Sequence, residues 1–221
     1  MTLVITLMAL CLISSVIADN MAEQRRRAEI DPLSGLRTRS TFEGEAQWLV
    51  ERAHRTGVPV SLIIADIDHF KQINDQYDHL VGDKVISAVG GVILQAIRPK
   101  DVAGRLGGEE FGIVLWNCDA DAAAAMANRL RMQFHGIGSA IEMDSFHCSA
   151  SFGVEAWSKH MDYTSVFASA DANLYRAKNS GRDRVVSGKG VLDASSNGDS
   201  NGDRPDSLFD NRSNVIAIPS K

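Results

Sequence analysis

Two acidic segments could carry chemistry in this chain. Arg105-Leu106-Gly107-Gly108-Glu109-Glu110-Phe111 lies about forty residues after Asp66-Ile67-Asp68. Each borders an apolar run that reads as a buried strand, Val60 to Ala65 before the aspartates and Phe111 to Leu115 after the glutamates. Two glycines ahead of two carboxylates predict a tight turn whose backbone can come close to a ligand. If the strands are neighbours, four carboxylates crowd one sheet edge, where like charges repel and ionise reluctantly. A divalent cation resolves that conflict, and oxygen-only ligands point to Mg²⁺ or Mn²⁺ rather than zinc. The chemistry implied is that of phosphate groups.

The elements that must position these acids follow from hydrophobic periodicity. Asp31-Pro32-Leu33-Ser34-Gly35-Leu36 breaks a polar, helix-compatible connector and opens a globular domain. Phe42, Ala46, Leu49, Val50 and Ala53 recur at helical spacing, as do Val85, Val89, Ile93 and Ile97, then Met126, Leu130 and Phe134. Gly107-Gly108 is expected to turn a hairpin between Val102–Leu106 and Phe111–Trp116. Phe146, Cys148, Ala150, Phe152 and Val154 alternate as in a half-buried strand. Val166 or Phe167, Ala170, Leu174 and Ala177 mark a last helix, and Arg184 to Val186 a short strand. Past Ser187 the Ser/Asn/Gly/Asp-rich tail has no periodicity and is expected to be disordered. Trp48 and Trp116 are expected in the core, and His69 and His79 in structural roles, since no thiol or second histidine is spaced as a metal ligand.

At 221 residues and 44% hydrophobic content, one substantial core is expected. A net charge of −5 argues against a general nucleic-acid binder, which would be basic. Cys11, Cys118 and Cys148 lack metal-ligand spacing and read as free thiols in a reducing compartment. Leu3 to Ala18 is almost wholly apolar, at the short limit of the roughly 17–25 residues a membrane span needs. Positive charge follows it, at Arg25-Arg26-Arg27, instead of preceding it as in a signal peptide. The expectation is a transmembrane anchor over 1–19 and a helical connector over 20–30, ahead of a catalytic domain over 31–187 and a tail over 188–221. A cleaved signal or a buried helix is the alternative. The arginines place the catalytic domain on the cytoplasmic side of a bacterial inner membrane.

Spaced motifs over the whole domain are similar to those of GGDEF domains, the catalytic modules of diguanylate cyclases. They are Leu33-Ser34-Gly35-Leu36, Asp66-Ile67-Asp68-His69-Phe70-Lys71-Gln72-Ile73-Asn74-Asp75, Gly82-Asp83, Gly107-Gly108-Glu109-Glu110-Phe111, Ser151-Phe152-Gly153, Ala170-Asp171 with Leu174-Tyr175-Arg176-Ala177-Lys178, and Gly181-Arg182. The resemblance implies an α/β (α+β) fold, a central mostly antiparallel sheet flanked by helices, akin to the polymerase palm and nucleotide cyclases. It implies condensation of two GTP to cyclic di-GMP with release of two pyrophosphates, by a homodimer. It assigns the metal to Asp66, Glu109 and the Ile67 carbonyl, and proton transfer to Glu109 or Glu110. Gly107 and Gly108 would present backbone N–H groups to phosphate. Lys71, Lys178 and Arg182 would supply positive charge to the triphosphate, the last two sharing a helical face if the helix extends that far. Asn74 and Asp83 would read guanine, an amide meeting its N3/O6 edge and a carboxylate accepting from N1–H and the 2-amino group.

Arg98-Pro99-Lys100-Asp101 fits the Arg-x-x-Asp pattern found five residues before the signature in product-inhibited members. With Arg129 it implies an allosteric cyclic di-GMP site, where arginine grips phosphate and stacks on guanine. A non-catalytic cyclic di-GMP receptor using Arg98 and Asp101 is the alternative function, with a cyclase of another nucleotide product as a third. The pattern is not followed throughout. Thr38 and Ser40 stand where the family has Asn and Arg, Ser34 replaces threonine, and Asp78 replaces the glycine before His79. None of these removes a proposed metal or guanine ligand.

Overall fold

The computed structural model describes Ser14 and residues 29–143, 146–188 and 190–192. The apolar run before the aspartates is strand β2, Val60–Ile67, and every residue in it is buried. Unbroken burial requires cover on both faces of the sheet. Alternate side chains accordingly enter two cores. Ile63, Ala65 and Ile67 pack with Val85, Val89, Ile93, Leu130 and Phe134. Val60, Leu62 and Ile64 pack with Phe42, Ala46, Leu49, Ala170 and Leu174 on the other side.

Helices α1 (Arg39–Thr56), α2 (Phe70–Tyr77), α3 (His79–Ala96), α4 (Ala120–Phe134), α5 (Ile137–Ala140) and α6 (Tyr163–Asn179) flank the sheet. The remaining strands are β1 (Arg37–Thr38), β3 (Val102–Arg105), β4 (Glu110–Trp116), β5 (Ala150–Ala156), β6 (Val185–Ser187) and β7 (Gly190–Leu192), in the order β1-β3-β4-β2-β5-β6-β7. The expected mostly antiparallel sheet is more closely described as mixed, with four antiparallel ladders and two parallel ones among the described residues. Its centre, β3-β4-β2-β5, is antiparallel, but β1 runs parallel to β3 and β6 parallel to β5. Parallel partners need a crossover connection, and α6 provides the one from β5 to β6.

The expected transmembrane helix is also corrected: among the described residues no helix is long and apolar enough to cross a membrane. Even the long α3 exposes Asp83, Lys84 and Gln95. Residues 1–19, on which that expectation rested, lie outside the described residues apart from Ser14, as does 20–28 of the connector. Strand β7 pairs with β6 beyond the boundary expected at residue 187, and 193–221 lie outside the described residues.

Helix α6 sits directly on β5. A Cβ on Gly153 would lie 2.1 Å from the Ala170 carbonyl oxygen and 2.3 Å from the Leu174 nitrogen, so only glycine permits this contact. The close approach brings the C-terminal end of α6 beside the end of β2. Of the tryptophans expected in the core, Trp116 is buried but Trp48 is 52% exposed. The Arg52 guanidinium lies 5.3 Å from the Trp48 ring and 4.6 Å from that of Trp116, a cation–π stack at the C-terminal end of β4.

Candidate active site

Register joins the two acidic segments. Asp66 pairs directly with Glu110 across β2 and β4, and Ile67 N–H donates to the Glu109 carbonyl at 3.2 Å. The signature turn closes through Leu106 N–H, which donates to the Glu110 carbonyl at 2.8 Å, with a longer 3.4 Å bond from Gly107 N–H. Neither Gly107 nor Gly108 has a positive φ. At Gly107 the lack of a side chain serves space instead. A Cβ on Gly107 would lie 2.9 Å from Glu110 Oε2, whereas one on Gly108 would meet nothing within 4 Å. The backbone at Gly108 is therefore open to a ligand.

Asp66 is 5% exposed, and Lys178 Nζ reaches its Oδ2 at 2.7 Å. Burial pushes the Asp66 carboxyl up to about 6; Lys178 opposes this, while the negative charges of Glu109 and Glu110 reinforce it. Burial also raises the Glu109 carboxyl, with Lys178 again opposing and Glu110 adding to it. Lys178 thus serves two carboxylates, Asp66 and Glu109, and the charge of Glu110 acts on both. That excess of oxygen-borne negative charge fits a hard divalent cation. Among the described residues no group of three His, Cys, Asp or Glu side chains could hold a metal. The two carboxylates that face Lys178, Asp66 and Glu109, are the candidates to hold such an ion.

Asp68 leaves this cluster, so the crowd at the sheet edge is three carboxylates instead of the expected four. Its oxygens accept from Ser149 Oγ at 2.9 Å, Ser151 Oγ at 2.7 Å and Asp183 N–H at 3.0 Å. It is a structural acceptor, one step along the chain from the metal-ligand candidates.

Lys71 and Asn74 lie on α2, and Asp83 on α3. The two helices touch at Gly82, where a Cβ would fall 1.9 Å from Asn74 Oδ1. Asn74 Oδ1 is buried and has no hydrogen-bond partner among the described residues, an acceptor held in place without a mate. Asp83 is exposed and lines a cavity of about 540 Å³ with Leu33, Leu80 and Lys84. Asp78, before α3, takes φ 75° and ψ 171°, and its Oδ1 accepts from Leu80 N–H at 2.6 Å and Val81 N–H at 3.3 Å. Arg182 does not share a helical face with Lys178. Helix α6 ends at Asn179, and Arg182 lies beyond it with φ 60°.

The second predicted site is assembled elsewhere. Arg98, Asp101 and Arg129 line one cavity of about 180 Å³ with Trp116, Cys118 and Met126. Asp101 already has structural work: Oδ2 accepts from Arg98 N–H at 2.9 Å and Oδ1 from Trp116 N–H at 3.0 Å. Burial pushes the Cys118 thiol up, and the nearby Asp119 and Asp101 charges add to this.

Sequence reasoning assigned no role to Arg105 or Asp31. Arg105 Nε donates to the Gly107 carbonyl at 3.0 Å and Nη2 to the Gly108 carbonyl at 2.8 Å, clamping the signature turn from behind. Its Nη1 reaches Asp31 Oδ1 at 3.3 Å. Burial opposes the Asp31 charge, but hydrogen bonds from Ser34 and the Arg105 guanidinium outweigh it and hold this carboxyl below its usual value. The loop entering the domain is thereby tied to the turn. Arg105 stands within the signature stretch, yet nothing in its type distinguishes a clamp from a solvated strand end.

Residues 28–184 match the family model described as "Diguanylate cyclase, GGDEF domain". Diguanylate cyclase DgcP of Pseudomonas aeruginosa is 39% identical over 171 residues, which are 75% of this chain and 25% of that protein. Diguanylate cyclase DgcS of Shewanella oneidensis is 34% identical over 160 residues, covering 72% of this chain and 53% of its own length. The chain thus spans between a quarter and about half of the curated relatives it matches. Among solved structures, the GGDEF domain of DgcB from Caulobacter crescentus, in complex with c-di-GMP, superposes with TM-score 0.67 at 32% identity, covering 72% of this chain and 92% of that one.

Proposed function

The chain belongs to the GGDEF family of diguanylate cyclase domains, and from that premise we propose that it condenses two GTP into cyclic di-GMP, releasing two pyrophosphates. The observation that carries the reading is the cross-strand pairing of Asp66 with Glu110, which sets the acids of two distant segments side by side. Asp66, Glu109 and the Ile67 carbonyl would hold Mg²⁺ or Mn²⁺. When bound, such an ion neutralises phosphate charge and acidifies the attacking 3′-hydroxyl.

The chain's own residues do the positioning. Lys71, Lys178 and Arg182 meet the triphosphate, and the open backbone at Gly108 lets it approach. Lys178 already faces Asp66, so its ammonium is held at the point where phosphate and carboxylate must share countercharge. Asn74 offers an unmated acceptor, and Asp83 a carboxylate, to the guanine edge. Glu109 or Glu110 takes the hydroxyl proton. One domain holds one GTP, so two copies must face each other for each 3′-hydroxyl to reach the partner's α-phosphorus. Arg98, Asp101 and Arg129 would bind the product and restrain the enzyme. Incubating the chain with GTP and Mg²⁺ and identifying the product tests the reading, and failure to form cyclic di-GMP would overturn it. A non-catalytic cyclic di-GMP receptor would keep the Arg98 cavity but have no use for the Asp66–Glu110 pairing.

A further inference from the structure

The loop after α6 holds two consecutive non-glycine residues in the left-handed region, Arg182 at φ 60° and Asp183 at φ 44°, following Gly181 at φ 116°. L-residues enter this region singly and reluctantly, and a run of two persists only where neighbours over-determine it. Those neighbours are identifiable. Asp183 Oδ1 accepts from Arg131 Nη1 of α4 at 3.0 Å and is 2.9 Å from His135 Nε2, just past the end of that helix. Asp183 N–H donates to Asp68 Oδ2 at 3.0 Å, and Asp68 is itself held by Ser149 and Ser151. Arg182 N–H donates to the Ala177 carbonyl at 3.1 Å, and the Arg182 carbonyl accepts from Arg184 Nε at 3.0 Å.

Asp183 therefore fastens the loop at two points, its side chain to α4 and its backbone to the end of β2. Asp68 lies two residues beyond Asp66, so the frame holding the Arg182 backbone is the frame holding the metal-ligand candidate. Arg182 itself is exposed and forms no salt bridge among the described residues. We propose that Asp183 is a positioning residue: by locking the backbone of Arg182, it fixes the place from which that guanidinium meets the GTP triphosphate. The inference rests on the cyclase reading for the identity of the nucleotide. A purely structural Asp183 would only neutralise Arg131, whose side chain is 3% exposed.

A double-mutant cycle on the full chain separates the two, read by titration of a non-hydrolysable GTP analogue with Mg²⁺. Asp183→Ala and Arg182→Ala should each weaken binding about tenfold, and the double variant should be no weaker than either, because they act through one contact. Asp183→Asn keeps an acceptor oxygen and tolerates left-handed backbone, so it should stay within about threefold of the unaltered chain. Unchanged affinity in Asp183→Ala, or losses that multiply in the double variant, would overturn the proposal. If Asp183→Ala fails to fold, His135→Ala takes its place in the cycle. It removes the half-exposed partner and should weaken binding about threefold, but not in the Arg182→Ala background. No weakening, or weakening in both backgrounds, would overturn the proposal equally. The cyclase reading fails by a different sign: the unaltered chain then binds the analogue in this Asp183-dependent way but makes no cyclic di-GMP from GTP.

Discussion

Lys178 Nζ stands 2.7 Å from Asp66 Oδ2, so the last long helix delivers a cation to the carboxylates of the central strand and the signature turn. The ammonium does not balance them. Burial still raises Asp66 to about 6, and Glu109 and Glu110 push in the same direction. The site is built with less positive charge than its carboxylates need.

That imbalance predicts a pH dependence of stability in the metal-free chain. The Asp66 carboxyl lies above its unfolded value of 3.8, at about 6, so its contribution is fully present below 3.8 and lost as pH rises through 6. Unfolding in EDTA should show stability falling across this window by about 2–3 kcal/mol. Asp66→Asn should flatten the fall and raise Tm at neutral pH. Equal slopes in both chains would refute the shift.

The same substitution should remove function. Asp66→Asn and Glu109→Gln each neutralise a proposed metal ligand at nearly constant volume, and each should lower cyclic di-GMP synthesis at least about a hundredfold with the fold intact. Near-normal synthesis by either would end the metal-site assignment.

Guanine selection is tested at Asp83. Removing its carboxylate in Asp83→Ala leaves N1–H and the 2-amino group of guanine without that acceptor and should narrow the GTP-over-ATP preference about tenfold or more. The measurement is binding of both nucleotides to both chains; an unchanged ratio means that guanine is read elsewhere.

Much of this arrangement was legible in the sequence because burial leaves a periodic trace. Val60 to Ala65 is apolar without alternation because both sheet faces are covered, and α1, α3, α4 and α6 show their buried stripes. Helix α2 escaped separate notice, although Phe70 and Ile73 are its buried positions; with eight residues it has too few turns for a period to declare itself. The two-residue strand β1 has even less pattern, and its parallel pairing with β3 is fixed by long-range packing. Trp48 was misplaced because its helical position does not reveal that Arg52, not a core, covers its ring. The acids of the site were visible as residue types. The family resemblance chose Asp66 over Asp68 for the metal, but what holds Asp68 was not legible, since it depends on Ser149, Ser151 and Asp183, which lie 81 to 115 residues away.

Asp78, where the family pattern has glycine, carries backbone strain. Its φ of 75° with ψ of 171° is a region almost restricted to glycine, and strain there costs about 1–3 kcal/mol. The side chain repays part of this by capping α3. Aspartate-to-glycine at an N-cap loses only a few tenths of a kcal/mol, and added unfolded-state entropy about 0.5–1. Asp78→Gly should therefore leave the chain as stable or up to about 2 kcal/mol more stable, measured by urea unfolding. A loss above about 1 kcal/mol would show that the cap outweighs the strain.

Product control is tested at Arg98, and the geometry decides which residue to change. Arg98 is exposed, and its guanidinium shares a cavity of about 180 Å³ with Arg129, away from the acidic turn. Asp101 lines the same cavity, but its carboxylate also accepts from the Arg98 and Trp116 N–H groups. Asp101→Ala would leave those donors without their partner and destabilise the fold by about 1–3 kcal/mol, confusing loss of regulation with loss of structure. Arg98→Ala leaves the backbone bonds in place. Charge-assisted contacts to phosphate are about twice as strong as neutral ones, so its loss should weaken product binding about tenfold or more. Added cyclic di-GMP should then slow the unaltered chain non-competitively with GTP and slow Arg98→Ala far less, at equal initial rates without product. Progress curves decide it: absence of inhibition in the unaltered chain, or equal inhibition in both, would show that Arg98 and Asp101 form no regulatory site here.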